Sequence, residues 1–274
     1  MRCTRHKVAV ADGLLPVSVW EPVSAQVTLV CVHGWTLDQS SFARQGVLAE
    51  WGVRLVSFDR RGFGANDLAP GLHLELDDIQ RVIDQFPEPV YAFGVSQGAR
   101  LLLRFVTRYP GHLAGLIVQG GLVDGLPAAA DDIPYAHYNS LLKKGEREAF
   151  ASAWLSHPLM RSGVPEDQGA AVADLISKYE GRDLRSVAPA AKPVDLTQAL
   201  PQALVAGPTS LWVVEAESES SERRMHARFL IEQCGGRAID MPGGHLCHFT
   251  HAAVFNTRVA SAIGLSGHGT SGRQ

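Results

Sequence analysis

Four continuous apolar runs restrict this chain most: "VTLVCVHG" (27–34), "VRLVSFD" (53–59), "VYAFGVS" (90–96) and "LAGLIVQGG" (113–121). None alternates apolar with polar, as a strand with one wet face must. They read as strands buried on both sides. Between them lie stretches with helical spacing: "SSFARQGVLAEWG", "LELDDIQRVIDQF" and "QGARLLLRFVTRYP". Strand and helix alternating at these intervals imply an α/β fold with a mostly parallel sheet and helices on both faces. Upstream, "HKVAVADGLLPVSVWEP" alternates on either side of Asp12-Gly13. That pattern predicts a hairpin of antiparallel edge strands.

The rhythm breaks after residue 122. Residues 123–200 offer helices ("YNSLLKKGEREAFASAWLSH", "QGAAVADLISKY") and no strand. Strand "TSLWVVEAE", helix "SSERRMHARFLIEQCGG", strand "RAIDMPGG" and helix "HAAVFNTRVASAIG" then complete the pattern. The expected organisation is a sheet core made of 1–122 and 201–265, a helical insertion at 123–200, and a disordered Gly/Ser-rich tail at 266–274. Within the insertion, Tyr135, Tyr138, Phe150, Trp154 and Leu155 have no local sheet to pack on. Some are expected to hold the insertion to the core. One or two, Trp154 first, are expected to face a ligand.

The net charge is −3, with no Lys/Arg block and no zinc-type Cys/His spacing. Nucleic acid and metal are therefore not expected as partners. No apolar run reaches the roughly 18–20 residues of a membrane helix. The start "MRCTRHKVAVADG" lacks an apolar signal segment, so a cytoplasmic location is expected. Cysteines at 3, 31, 234 and 247 suggest no disulfide framework and are read as reduced thiols.

Ser96 lies between Gly94 and Gly98 in "FGVSQGAR", where a buried strand hands over to a helix. In parallel sheets, ligands bind beyond the carboxyl ends of the strands. G-x-S-x-G at that junction is a nucleophile elbow, tight enough to need small residues beside the serine. The helix start also sets the backbone N–H of Gln97 beside a developing oxyanion. A second donor is the N–H of Trp35, just after His33-Gly34 at the end of the first buried strand. In "DMPGGHLCHFTHAAVFN", His245 follows a strand and a Gly-Gly, and can approach the serine from the same sheet edge as a general base. His251 reads as surface and His248 as a loop brace. His33 reads as a brace near the substrate rather than as the base. His33 and Trp154 are carried as substrate-binding candidates.

With these pieces in order, the chain resembles the α/β-hydrolase superfamily. "HGW", "FDRRGFG", "GVSQGA" and "PGGH…H…F" carry the resemblance over nearly all of residues 1–265. It implies an eight-stranded, mostly parallel sheet with a cap after the sixth strand. It also implies Ser96 as nucleophile, His245 as base, and the Trp35 and Gln97 amides as oxyanion hole. Asp59, Arg60 and Gly62 are then structural, and no cofactor is needed.

The acid departs from the family pattern, which places an aspartate a few residues past the seventh strand, as in G-x-x-D. Here the stretch is "LWVVEAESESSE". Counted from Val214 as strand end, Ser218 holds the aspartate's place, flanked by Glu217 and Glu219. Either glutamate can orient a histidine. Glu217 is narrowly preferred, and a solvated cluster at a helix start is the alternative. Some members carry the acid after the sixth strand, where this chain has Gln119; Asp124 is a reserve.

The resemblance implies hydrolysis of a carboxylic ester, thioester or lactone through an acyl-enzyme. A small or medium apolar molecule is the expected substrate, and monomer or homodimer the expected state. The scaffold also hosts C–C bond hydrolases, lyases and cofactor-independent dioxygenases. A non-catalytic ligand receptor is a further alternative.

Overall fold

The computed structural model describes residues 2–87, 89–127, 133–185 and 194–265. The tail 266–274, expected to be disordered, lies outside the described residues.

The strands are β1 (Arg2–Val10), β2 (Gly13–Glu21), β3 (Val27–Val32), β4 (Val53–Phe58), β5 (Val90–Val95), β6 (Gly115–Gln119), β7 (Ser210–Ala216) and β8 (Arg237–Met241). They form one eight-stranded sheet in the order β1-β2-β4-β3-β5-β6-β7-β8. β1 pairs with β2, and β2 with β4, antiparallel; every other pair is parallel. The hairpin turn falls one residue earlier than the sequence implies. Val10 pairs with Gly13, so Ala11 and Asp12 make the turn and the glycine opens β2.

The helices are α1 (Leu72–Ile83), α2 (Gln97–Arg108), α3 (Tyr135–Lys143), α4 (Arg147–Ser156), α5 (Pro158–Arg161), α6 (Gly169–Ser177), α7 (Ala199–Ala206), α8 (Ser221–Glu232), α9 (Cys247–Thr250) and α10 (Ala252–Ala262). The segment Gln39–Trp51 winds as a 3-10 helix. It opens where the Asp38 carboxylate accepts from the Ser40 amide at 2.7 Å, and closes at Gly52 with φ 85°.

The continuous apolar runs have a simple cause. Successive side chains in a strand face opposite ways. Leu29 and Cys31 join one core with Phe42, Phe93, Ile117 and Phe255, while Val30 and Val32 join a second core with Ala92, Leu102, Leu116 and Leu200. Both faces are dry, so apolar residues fill both, with buried Thr28, Ser57 and Gln119 as exceptions. Each such Val, Leu or Phe contributes about 1.5–3 kcal/mol on burial.

Between β6 and β7 the described residues hold helices α3–α7 and no strand. α7 packs on α2 and runs across the expected division at 200/201. Among the described residues no helix is long and apolar enough to cross a membrane. Among them, too, no group of three His, Cys, Asp or Glu side chains could hold a metal ion. The four cysteines are free, and all but Cys3 are buried.

Candidate active site

Ser96 is the single residue between β5 and α2, and its backbone is bent to φ 54°, ψ −116°. A non-glycine residue at positive φ costs about 1–3 kcal/mol and persists only where its surroundings impose it. Here the Ser96 amide donates to the Gln119 carbonyl at 2.8 Å, and the Ser96 carbonyl accepts from the Arg100 amide at 3.0 Å. The flanking glycines are sterically required. A Cβ on Gly98 would lie 2.1 Å from the Val32 carbonyl oxygen, and one on Gly94 would lie 2.7 Å from the Ala99 backbone. The turn after β3 also touches the serine: a Cβ on Gly34 would sit 3.1 Å from Ser96 Cβ.

Ser96, Trp35, Gln97, Trp154 and His245 line one cavity that is partly open to solvent. Apolar walls come from Leu37, Leu122, Ile133, Leu159, Met160 and Leu246. Of the insertion aromatics, Tyr135 and Trp154 reach this cavity. Tyr138 and Phe150 are buried against the Trp35 ring instead.

His245 follows β8 and is 4% exposed; its Nδ1 lies 2.8 Å from Glu219 Oε2. The other Glu219 oxygen accepts from the Ser220 amide at 3.0 Å. Burial raises the Glu219 pKa, but the charge and hydrogen bond of His245, aided by Arg223, outweigh it and hold the carboxyl below its ordinary value. The narrow preference for Glu217 therefore gives way to Glu219. Glu217 is exposed, and its amide donates to the Met241 carbonyl at 3.0 Å. The reason lies in β7. It does not stop at Val214 but keeps pairing to Ala216, opposite Met241. The two added residues move the carboxylate that meets His245 from position 217 to 219.

The residues weighed as other sources of the acid's position, Gln119 and Asp124, are engaged elsewhere. Gln119 donates to the His245 carbonyl at 2.7 Å and lies 3.0 Å from His248 Nδ1, so it braces the histidine loop. Asp124 is paired with Arg100 and Arg104. His33 does not line the cavity. It is fully buried, its Nε2 accepts from the Arg60 amide at 3.0 Å, and its Nδ1 lies 2.8 Å from the Gly34 carbonyl. Burial, then the Arg60 charge, push its pKa down to about 3, so it is a neutral brace rather than a ligand contact. His248 is likewise buried and pushed down to about 3, by burial and then by the His245 charge. His251 is half-buried beside Thr250 rather than a free surface residue.

Two charged cavity residues were not among the sequence candidates: Arg100 and Arg223. Arg100 lies one helical turn beyond Ser96. Arg223 is 5% exposed and donates to the Gly120 carbonyl. A signal existed for it. Arg223, His226 and Leu230 form the buried stripe of α8, and two polar residues on an inward stripe mark a site.

Gly120 explains the "QGG" that ends β6. Its φ is +58°, and a Cβ would come within 2.5 Å of His245 Cε1 and 2.7 Å of Glu219 Oε2. Gly120→Ala is expected to cost about 1–3 kcal/mol through overpacking and the left-handed backbone. Urea denaturation checks this. An unchanged midpoint would mean the buried pair can move aside freely.

A parallel sheet with an elbow serine and a buried His–Glu pair at its carboxyl edge defines the class of α/β-hydrolase-fold proteins. Residues 29–258 match the model of the alpha/beta hydrolase family, and the chain belongs to that family. It is 28% identical over 158 residues to a proline iminopeptidase of Thermoplasma volcanium, covering 53% of this chain and 54% of the relative. It is 32% identical over 99 residues to a pimeloyl-[acyl-carrier protein] methyl ester esterase of Shewanella woodyi, covering 35% and 37%. It is 27% identical over 169 residues to a putative 2-succinyl-6-hydroxy-2,4-cyclohexadiene-1-carboxylate synthase of Bacillus subtilis, covering 57% and 60%. Each match thus spans less than two thirds of the relative's length. Among solved structures, the enol-lactonase from Burkholderia xenovorans LB400 superposes with a TM-score of 0.73 at 16% identity, over 94% of this chain and 99% of that one.

Proposed function

We propose that this protein is a serine hydrolase that cleaves a carboxylic ester, thioester or lactone of a small or medium, largely apolar substrate. The carrying observation is the buried Glu219–His245 pair on the cavity that Ser96 lines. Glu219 holds the imidazole so that Nε2 is the free, basic nitrogen. His245 removes the Ser96 hydroxyl proton as Oγ attacks the substrate carbonyl. The carbonyl electron pair moves onto oxygen, and the Trp35 and Gln97 amides stabilise that oxyanion. Collapse expels the alkoxide or thiolate, which takes the proton from His245. Water, deprotonated by His245, then attacks the acyl-enzyme; the bond to Ser96 Oγ breaks, Oγ takes the proton back from His245, and the carboxylic acid leaves.

Residues 123–200 act as a cap, whose Trp154, Leu159 and Met160 form the apolar wall of the cavity. Three buried, free cysteines fit a reducing cytoplasm. A turnover screen tests the reading: p-nitrophenyl esters of graded chain length, lactones and a diketone, each with wild type and Ser96→Ala. Ester or lactone turnover that needs Ser96 is expected. Ligand binding with no turnover of any compound would favour a receptor.

Arg100 and Arg223 on the cavity favour one second reading. A C–C bond hydrolase or lyase acting on a carboxylate-bearing substrate would use such guanidiniums to hold its anion. The synthase among the relatives, by its name, makes a carboxylate. Turnover of an anionic diketone, with esters inert, would establish this reading over the first.

A further inference from the structure

The Trp35 indole N–H donates to the Tyr179 hydroxyl at 2.7 Å and to Asp183 Oδ2 at 3.2 Å. Tyr179 in turn donates to Asp183 Oδ1 at 2.6 Å, which closes a three-membered ring of hydrogen bonds. Both acceptors belong to the insertion, and Trp35 belongs to the turn after β3. Next along that turn, Thr36 is buried at φ 64°, a backbone that a β-branched residue rarely takes. Its hydroxyl accepts from the Trp154 indole at 2.9 Å, again from the insertion. The segment around Asp183 is itself anchored, because Arg182 donates to Asp67 Oδ1 at 2.5 Å and to the Gly64 carbonyl. Arg60 lies over the Phe63 ring at 4.9 Å, Phe63 stacks on Tyr179 at 6.0 Å, and Arg60 donates to the Gln97 side chain at 2.8 Å. Glu75 fixes Arg60 with two hydrogen bonds, at 2.6 and 3.3 Å. The side chains of both proposed oxyanion residues therefore end in one network, and half of that network is cap.

We propose that Tyr179 and Asp183 are positioning residues: by gripping the Trp35 indole they set the turn that carries the oxyanion amide, so a docked cap completes the oxyanion hole. The inference rests on the serine-hydrolase reading above. A cap that only walls the pocket changes KM and substrate range. A cap that sets the oxyanion turn changes kcat. Misplacing a reacting group by about 1 Å costs up to about 100-fold.

The test compares Asp183→Ala, Asp183→Asn and Tyr179→Phe with wild type on one Ser96-dependent ester. Asp183→Ala is expected to lower kcat by about 10- to 100-fold, with KM within about threefold. Tyr179→Phe keeps the packed ring and guards against misfolding; it is expected to lower kcat about tenfold. Asp183→Asn keeps an acceptor oxygen and should recover most of the loss. Affinity for a trifluoromethyl ketone, whose adduct puts an oxyanion in the hole, should fall in step with kcat. Affinity for the product acid should not. If kcat and ketone affinity match wild type in both Asp183→Ala and Tyr179→Phe, the grip is overturned and the hydrolase reading stands. A rise in KM alone also overturns it. If wild type forms no Ser96-dependent ketone adduct, the hydrolase reading fails and the grip falls with it.

Discussion

Ser96→Ala is expected to lower ester turnover by about 10⁶-fold, the loss seen when a serine protease is stripped of its nucleophile. A residual rate above water, about 10³–10⁴-fold, should survive through binding and oxyanion stabilisation. The fold should not suffer. The serine is held at φ 54° by backbone hydrogen bonds from its own amide and carbonyl, which alanine retains. A fluorophosphonate probe should label wild type at Ser96 and leave the variant blank. Full turnover in Ser96→Ala would remove the acyl-enzyme and hand the chemistry to His245 alone.

Glu219→Gln is expected to cost about 10⁴-fold in kcat, as amidation of a triad acid does, because glutamine fixes the wrong imidazole tautomer. Glu217→Gln should stay near wild type, since that carboxylate is exposed and away from His245. The reverse result would mean that the Glu219–His245 contact is structural only. The pH dependence has a definite sign. The Glu219 pKa lies below its ordinary 4.5 in the fold, so folding favours the ionised form. Its contribution to stability is full above 4.5 and is lost as pH falls through the lower, folded value. The acid arm of a stability profile should therefore flatten in Glu219→Gln.

The sheet and the elbow were legible because their signals are local. A strand buried on both faces is apolar on both of them, and a serine elbow must have glycine where a Cβ would strike a neighbouring backbone. His245 was legible because it follows a strand end marked by Gly-Gly. The acid was harder. "LWVVEAESESSE" does not announce where pairing stops; Ala216 is still in the ladder, opposite Met241. Arg223 left only the trace of a polar stripe on α8, and the grip on Trp35 left none. They join residues more than 100 positions apart, and only the fold brings them together.

The two extra paired residues of β7 bear on how such chains are sorted. A search keyed to G-x-x-D at a fixed count finds Ser218, which cannot serve as an acid. Counting instead from the last rung of the β7–β8 ladder finds a carboxylate already touching the imidazole. For members with drifting strand ends, the useful coordinate is the ladder rung rather than the alignment column.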